Sequence, residues 1–230
     1  MMKNYNPKIP LLSIHIPKCG GTSFKEVLQK WYGNNLVLHY YNAKHAKMPK
    51  KHKLTNGNND DYIEDYCIHG HFNRTRGFGV DNYYPEIKQA ITFLRDPLEI
   101  SLSLFHFNNR MAKEGTFYKN GKKREFKNDI DEYLENTKPY IRYHLPEKMS
   151  LENSDDFFNN YFVHIGVMEY YKESMEILAD KLGKPRIKIG QKNLTERSNN
   201  PSESSIEKFK SKCNYEYFLY NKALKANKII

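Results

Sequence analysis

The sequence predicts an α/β domain with a central, mostly parallel sheet and helices on both faces. Three observations carry this expectation. Short apolar runs of strand length at 11–16, 36–40, 90–94 and 161–166 alternate with stretches of helical period. A glycine turn leads from the first run straight into the first amphipathic stretch. At 230 residues the chain is long enough for one such domain and short for two, so residues 1–230 are expected to form a single domain.

The first element organises the rest. Residues 11–16 read as a buried strand that Pro17 ends. Gly20 and Gly21 permit a sharp turn and a close approach of backbone N–H groups to a ligand. Thr22 or Ser23 is expected to cap the helix that follows, whose Phe24, Val27, Leu28 and Trp31 fall on one apolar face. A helix N-terminus aimed at a glycine loop is an anion site, and Lys18 adds a full positive charge to it.

Farther along, 36–40 reads as a second strand, and 44–53 is a basic loop of five Lys and two His, either a solvated face or an anion-binding one. A brief strand at 66–68 runs into His69, Gly70 and His71, at the strand end where open α/β sheets bind ligands. Only one of these two histidines is expected to face the site, and no further metal ligands accompany them. Residues 85–89 read as a helical turn and 90–94 as the clearest interior strand. A helix then continues to about residue 108, with Pro97 in its first turn. Residues 108–148 are the most polar stretch, with a helix expected over 129–134. A strand at 161–166, an amphipathic helix at 171–182 closed by Gly183, and a last strand at 186–189 follow. Ser204 and Glu207 suggest a capping box, and Asn214 a cap for a final helix over 215–226.

Composition bounds the function without naming it. Lys and Arg exceed Asp and Glu by 37 to 27, a net charge of +10 that suits a polyanionic ligand, an acidic substrate or nucleic acid. Eighteen Tyr and thirteen Phe argue against disorder despite a mean hydropathy of −0.83. Three cysteines with no C-x-x-C spacing indicate neither a disulfide framework nor a zinc site. No apolar run is long enough to span a membrane, and residues 1–10 lack the apolar segment of a signal peptide.

The order Pro17, Lys18, Cys19, Gly20, Gly21, Thr22, Ser23 is not a Walker A loop, in which the Lys follows the last Gly. It resembles the 5′-phosphosulfate loop of sulfotransferases that use 3′-phosphoadenosine 5′-phosphosulfate (PAPS). The likeness is greatest to the carbohydrate branch, which includes heparan sulfate 2-O-like enzymes. Arg95, Asp96, Pro97 and Ser103 are similar to that family's 3′-phosphate motif. The resemblance implies a single-domain, nucleotide-kinase-like α/β fold with PAPS as donor, 3′,5′-ADP as product and a hydroxyl-bearing, carbohydrate acceptor. It implies donor contacts from Lys18, Cys19, Gly20, Gly21, Thr22, Ser23, Arg95 and Ser103, and a catalytic base at His71 or His69, with His71 preferred. Arg142, in an echo of the family's acceptor motif, is a weak substrate-site candidate, and 108–148 is expected on the acceptor side. Residues 191–197 fall near where relatives carry a segment close to the nucleotide. Lys18 and the helix dipole supply the positive charge, so no metal is called for. Golgi relatives carry a membrane anchor that this chain lacks, so a cytoplasmic location is expected, with no nucleic-acid partner.

Two expectations at the site concern chemistry. Cys19, beside Lys18 and a helix N-terminus, is expected to be a thiol of lowered pKa, or else a buried, inert one. A histidine base is expected to lose activity below about pH 6.5. Two other readings stand beside the sulfotransferase. In a P-loop kinase, 91–96 would be a Walker B strand with Asp96 on Mg²⁺. In a nucleic-acid-binding module, basic and aromatic side chains would share one surface.

Overall fold

The computed structural model describes residues 2–57, 61–126, 129–187 and 200–227. In chain order the elements are β1 (Leu11–Ile14), α1 (Gly21–Tyr32), β2 (Leu36–His39), β3 (Cys67–Gly70), α2 (Val80–Tyr83), β4 (Ala90–Leu94) and α3 (Pro97–Lys113). A small hairpin follows, β5 (Tyr118–Lys119) and β6 (Lys122–Lys123), then α4 (Ile130–Asn136), α5 (Ser154–Asn160), β7 (Phe162–Val167), α6 (Tyr171–Leu182), α7 (Glu203–Lys212) and α8 (Asn214–Ala226). Five strands form one parallel sheet in the order β2-β3-β1-β4-β7. Every residue of β1, β3, β4 and β7 is buried, as helices covering a parallel sheet require. The expected α/β class is the observed one. None of the described helices is long and apolar enough to cross a membrane.

Strand order reverses direction at β1, which has β3 on one side and β4 on the other. In such sheets the crevice at the carboxyl end of that strand binds the ligand. The register aligns three strand ends there. Gly70 pairs with Ile14 on one side and with His39 on the other. The next residues, His15, Tyr40 and His71, therefore leave the sheet side by side.

Several boundaries differ from the sequence expectation. β1 ends at Ile14 rather than residue 16, and β3 runs on to Gly70, so His69 lies inside the sheet. The helical turn expected at 85–89 is instead α2, with only a turn from Tyr84 O to Ile87 N behind it. α3 continues to Lys113, because no Gly or Pro interrupts it before Gly115 and its Leu102 and Phe105 join a second apolar cluster. Ile130 and Leu134 of α4 and Phe209 of α7 complete that cluster, so the polar 108–148 stretch is anchored rather than loose. Ser202, not Ser204, caps α7: its Oγ accepts from Ser205 N at 3.3 Å, and its own N–H is held by Asp131 Oδ1 at 2.8 Å. Asn214 is the first residue of α8, with Cys213 at the cap position. Arg186 and Ile187 form no strand; the rest of the expected 186–189 strand and the 191–197 motif lie outside the described residues.

Buried imidazoles give the fold a pH dependence. Burial pushes His39 and His71 down to about 4, pushes His69, His144 and His164 down to about 3, and holds His15 well below the ordinary value. Above the unfolded value of about 6.5 both states are neutral and the groups do not affect stability. As pH falls below 6.5 the unfolded chain takes up protons that the folded one refuses, so each such histidine removes about 1.4 kcal/mol per pH unit. The loss ends only as pH passes the folded values near 3–4. Thermal melts are expected to fall steeply between pH 6.5 and 4; a flat melting temperature from pH 7 to 5 would contradict this burial.

Candidate active site

The loop from His15 to Gly20 rises from the carboxyl end of β1 into α1. Gly20 occupies the cap position at φ 74°, and α1 begins at Gly21 with no side-chain cap. Thr22 and Ser23 therefore sit in the first turn rather than at the cap. The first backbone bond of the helix runs from Phe24 N to Gly20 O, so the N–H groups of Gly21, Thr22 and Ser23 have no intrahelical partner. Gly20 is dictated by that left-handed φ, at which any side chain is strained, and Gly21 by its neighbour. A Cβ on Gly20 would lie 2.5 Å from Met168 Sδ, and one on Gly21 would fall 1.8 Å from His15 Nε2. Lys18 is held at φ 69°, a left-handed conformation that costs a non-glycine residue roughly 1–2 kcal/mol. These are an anion cradle's features: free N–H groups, a helix dipole and a strained lysine.

Arg95, just past β4, fastens the cradle. Its Nη1 donates to Lys18 O at 3.3 Å and its Nη2 pairs with Glu99 at 3.0 Å. Ser103, half-buried, lies farther along α3, and Phe107 and Arg110 continue its face at i+4 and i+7. Lys18 Nζ lies 4.5 Å from the centre of the Phe107 ring, and the Arg110 guanidinium 5.6 Å from it. Burial, Arg110 and Arg95 all lower the Lys18 pKa. Three cations thus converge, and among the described residues neither Lys18 nor Arg110 makes an ion pair. Such an arrangement favours a multiply charged anion.

Beside the cradle is a group of imidazoles. The His15 ring is 4.5 Å from that of His71 and stacks on that of His69 at 5.3 Å. Tyr40 packs edge-on against His71 at 4.8 Å, and its hydroxyl is hydrogen-bonded to His15 Nδ1 at 3.1 Å. His144, from the polar stretch, is 6.5 Å from His71 and entirely enclosed. His69 and His71 lie on the same side, as alternate residues of a strand do, which corrects the expectation that only one would face the site. His69 is fully buried with Nδ1 2.9 Å from Ser13 Oγ, whereas His71 is half-buried. Nε2 of each is enclosed without a hydrogen-bond partner among the described residues. Burial dominates the depressed pKa of His71, with Arg76 and His39 adding to it.

The sequence reading did not single out His15, Tyr40, His144, Phe107 or Arg110. The signal for His15 and Tyr40 was positional: each is the first residue past a strand whose end aligns with that of β3. Arg142 is not among the converging residues; it is exposed, with its guanidinium 5.8 Å from the Tyr215 ring. Cys19 is the inert thiol of the two alternatives. It is buried, and burial pushes its pKa up, overriding the lowering effect of Arg95. Asp96 caps α3, accepting from Leu98 N at 2.8 Å and Glu99 N at 3.1 Å, which is a structural role and not that of a Walker B carboxylate. Among the described residues no group of three or more His, Cys, Asp or Glu is arranged to hold a metal ion.

The basic loop at 44–53 meets a second one, the β5–β6 hairpin of the polar stretch, which carries Lys119, Lys122 and Lys123. Gly121 N–H, at the turn of the β5–β6 hairpin, donates to Ala43 O at 2.9 Å, and Arg76 donates to Asn120 Oδ1 at 3.4 Å. Arg76 also lies over the Tyr41 ring at 4.0 Å. The lysines of 44–53 are exposed.

A parallel sheet with a glycine loop and helix N-terminus at its switch-point strand is the arrangement of proteins that bind phosphate-bearing ligands. Residues 3–221 match the model of the sulfotransferase family, and the chain belongs to that family. It is therefore a PAPS-dependent transferase that moves a sulfuryl group. No curated protein matches the chain.

Proposed function

We propose that this enzyme sulfates a hydroxyl group of an anionic carbohydrate, with His71 as base and Lys18 stabilising the departing phosphate. The observation that carries this reading is the contact of the imidazole group with the anion cradle: the His15 ring touches both Gly21 and His71. PAPS supplies an activated sulfuryl group on a phosphate leaving group. His71 takes the proton of the acceptor hydroxyl as its oxygen bonds to sulfur. Lys18 and the N–H groups of Gly21, Thr22 and Ser23 hold the negative charge that grows as the sulfur–oxygen bond to phosphate breaks. The products are a sulfate ester and 3′,5′-ADP. Arg95 and Ser103 grip the 3′-phosphate, the guanidinium as a fork and the hydroxyl as a donor. His71 is preferred to His69 because Ser13 already engages His69 inside the sheet. The joined basic loops, with the Arg76–Tyr41 pair beside them, favour an acceptor that carries carboxylate or sulfate groups.

The alternatives fare worse. Asp96 is spent as a helix cap, against a Mg²⁺-dependent kinase. Only Tyr170 and Phe218 are strongly exposed aromatics among the described residues, too few for a base-stacking surface. Thermal shift separates all three. At ~100 times its Kd, 3′,5′-ADP is expected to add about 2.7 kcal/mol, roughly 5–10 °C for a protein of this size. 5′-AMP, Mg·ATP and RNA should do much less. Equal shifts with 3′,5′-ADP and 5′-AMP would remove the 3′-phosphate assignment. Transfer of radiolabel from PAPS to a panel of acidic and neutral polysaccharides then tests the acceptor class.

A further inference from the structure

We infer that His15 and Tyr40 form a hydrogen-bonded clamp that positions the His71 ring; this rests on the reading of His71 as the base. The sheet order sets it up. β3 lies between β2 and β1, so Tyr40 and His15, one residue past those two strands, flank His71 from both sides. The flanking rings are 4.8 and 4.5 Å from it. They are joined to each other through the Tyr40 hydroxyl and His15 Nδ1 at 3.1 Å, so neither moves without the other. The main chain is pinned as well. His15 N–H donates to Gly70 O at 2.8 Å, which fixes the peptide leading into His71. On its far edge the His15 ring fills the space above Gly21, so the clamp is braced against the anion cradle. A base must be held within a few tenths of an ångström of its working position, and among the described residues Nε2 of His71 has no hydrogen bond to hold it. The clamp supplies that orientation by packing. Both residues are positioning residues.

A double-mutant cycle tests this. Tyr40→Phe keeps the ring on His71 and removes the link to His15. It is expected to lower kcat about tenfold, with the 3′,5′-ADP Kd changed less than twofold. In a His71→Ala background the same substitution should have no further effect, because there is no base left to misplace. His15→Asn, which retains a polar group near Nδ1, should keep more activity than His15→Ala. In NMR spectra of the wild-type chain and Tyr40→Phe, the His71 ring signals should shift or broaden in the variant. The proposal is overturned if Tyr40→Phe lowers kcat equally in both backgrounds, if it leaves kcat and the His71 signals unchanged, or if its whole effect appears in nucleotide affinity. Loss of the base assignment is a separate result: His71→Ala alone would then keep wild-type turnover, and the His71 ring signals would still report on the clamp.

Discussion

Lys18→Ala is expected to lower kcat by roughly 10²–10³, the usual effect of removing one preorganised donor from a developing anion. It should also weaken 3′,5′-ADP binding by about ten- to a hundredfold, since a hydrogen bond to a charged group contributes about 1.5–3 kcal/mol. The free protein should not be destabilised. Burial, Arg110 and Arg95 all lower the Lys18 pKa, so its charge is disfavoured where it sits, and its side chain is only half-buried. Lys18→Gly sharpens the test, because glycine accepts φ 69° without strain. The Gly variant should melt above the Ala variant while both are equally impaired. Nucleotide titration calorimetry and melting curves on the two proteins check this. An Ala variant with normal turnover would remove Lys18 from the site, and an Ala variant as stable as the Gly one would show that the loop relaxes.

His71→Ala is expected to lower turnover by roughly 10²–10⁴ and to leave 3′,5′-ADP affinity nearly intact. The pH dependence follows from the fold rather than from the free amino acid. A histidine at its ordinary value of about 6.5 would be about nine-tenths protonated at pH 5.5, and the rate would drop about tenfold from pH 7.5. Burial and the nearby Arg76 push His71 down to about 4, so it stays neutral across that range. kcat/KM, which reports the free enzyme, should therefore be nearly flat from pH 7.5 to 5.5. The limb expected near pH 6.5 from sequence is moved downward. In the donor complex an adjacent phosphosulfate favours the imidazolium, so the limb in kcat should lie at higher pH than that in kcat/KM. Paired profiles for wild type and variant decide this. If His69→Ala abolishes turnover and His71→Ala does not, the base is the histidine inside the sheet.

The helical and strand elements were legible where apolar period and punctuation agreed. Ala90–Leu94 is an unbroken apolar-rich run closed by Arg95, Asp96 and Pro97, and Tyr171–Leu182 has one apolar face and a terminal Gly183; both were located correctly. Capping positions were misread where two hydroxyl residues stood close together. Thr22 and Ser23 gave way to Gly20 because the loop needs a left-handed residue, and Ser204 to Ser202 because Asp131 holds its N–H. The anion cradle was legible because its chemistry is local to seven residues. The imidazole group was not, because His15, Tyr40, His71 and His144 are brought together only by parallel register and a long return of the chain. Cys19 was open in sequence because its pKa turns on burial, a property of the whole sheet.

The strand order also governs how the molecule comes into being. No two neighbouring strands of the main sheet are joined by a hairpin, and β1 pairs with β3 across 56 residues and with β4 across 78. Closing such loops before their contacts are rewarded makes folding slow, and a chain emerging from the ribosome exposes unpaired apolar strands meanwhile. β7, the last of the sheet's strands among the described residues, ends at Val167. At ~5–20 residues per second, synthesis of β7 trails that of β1 by about 8–30 seconds. The central strand that carries the anion cradle is thus among the first made and has both partners only once β4 is available. Fragments ending before β7 leave β4 with an open apolar edge, and for them aggregation competes with folding.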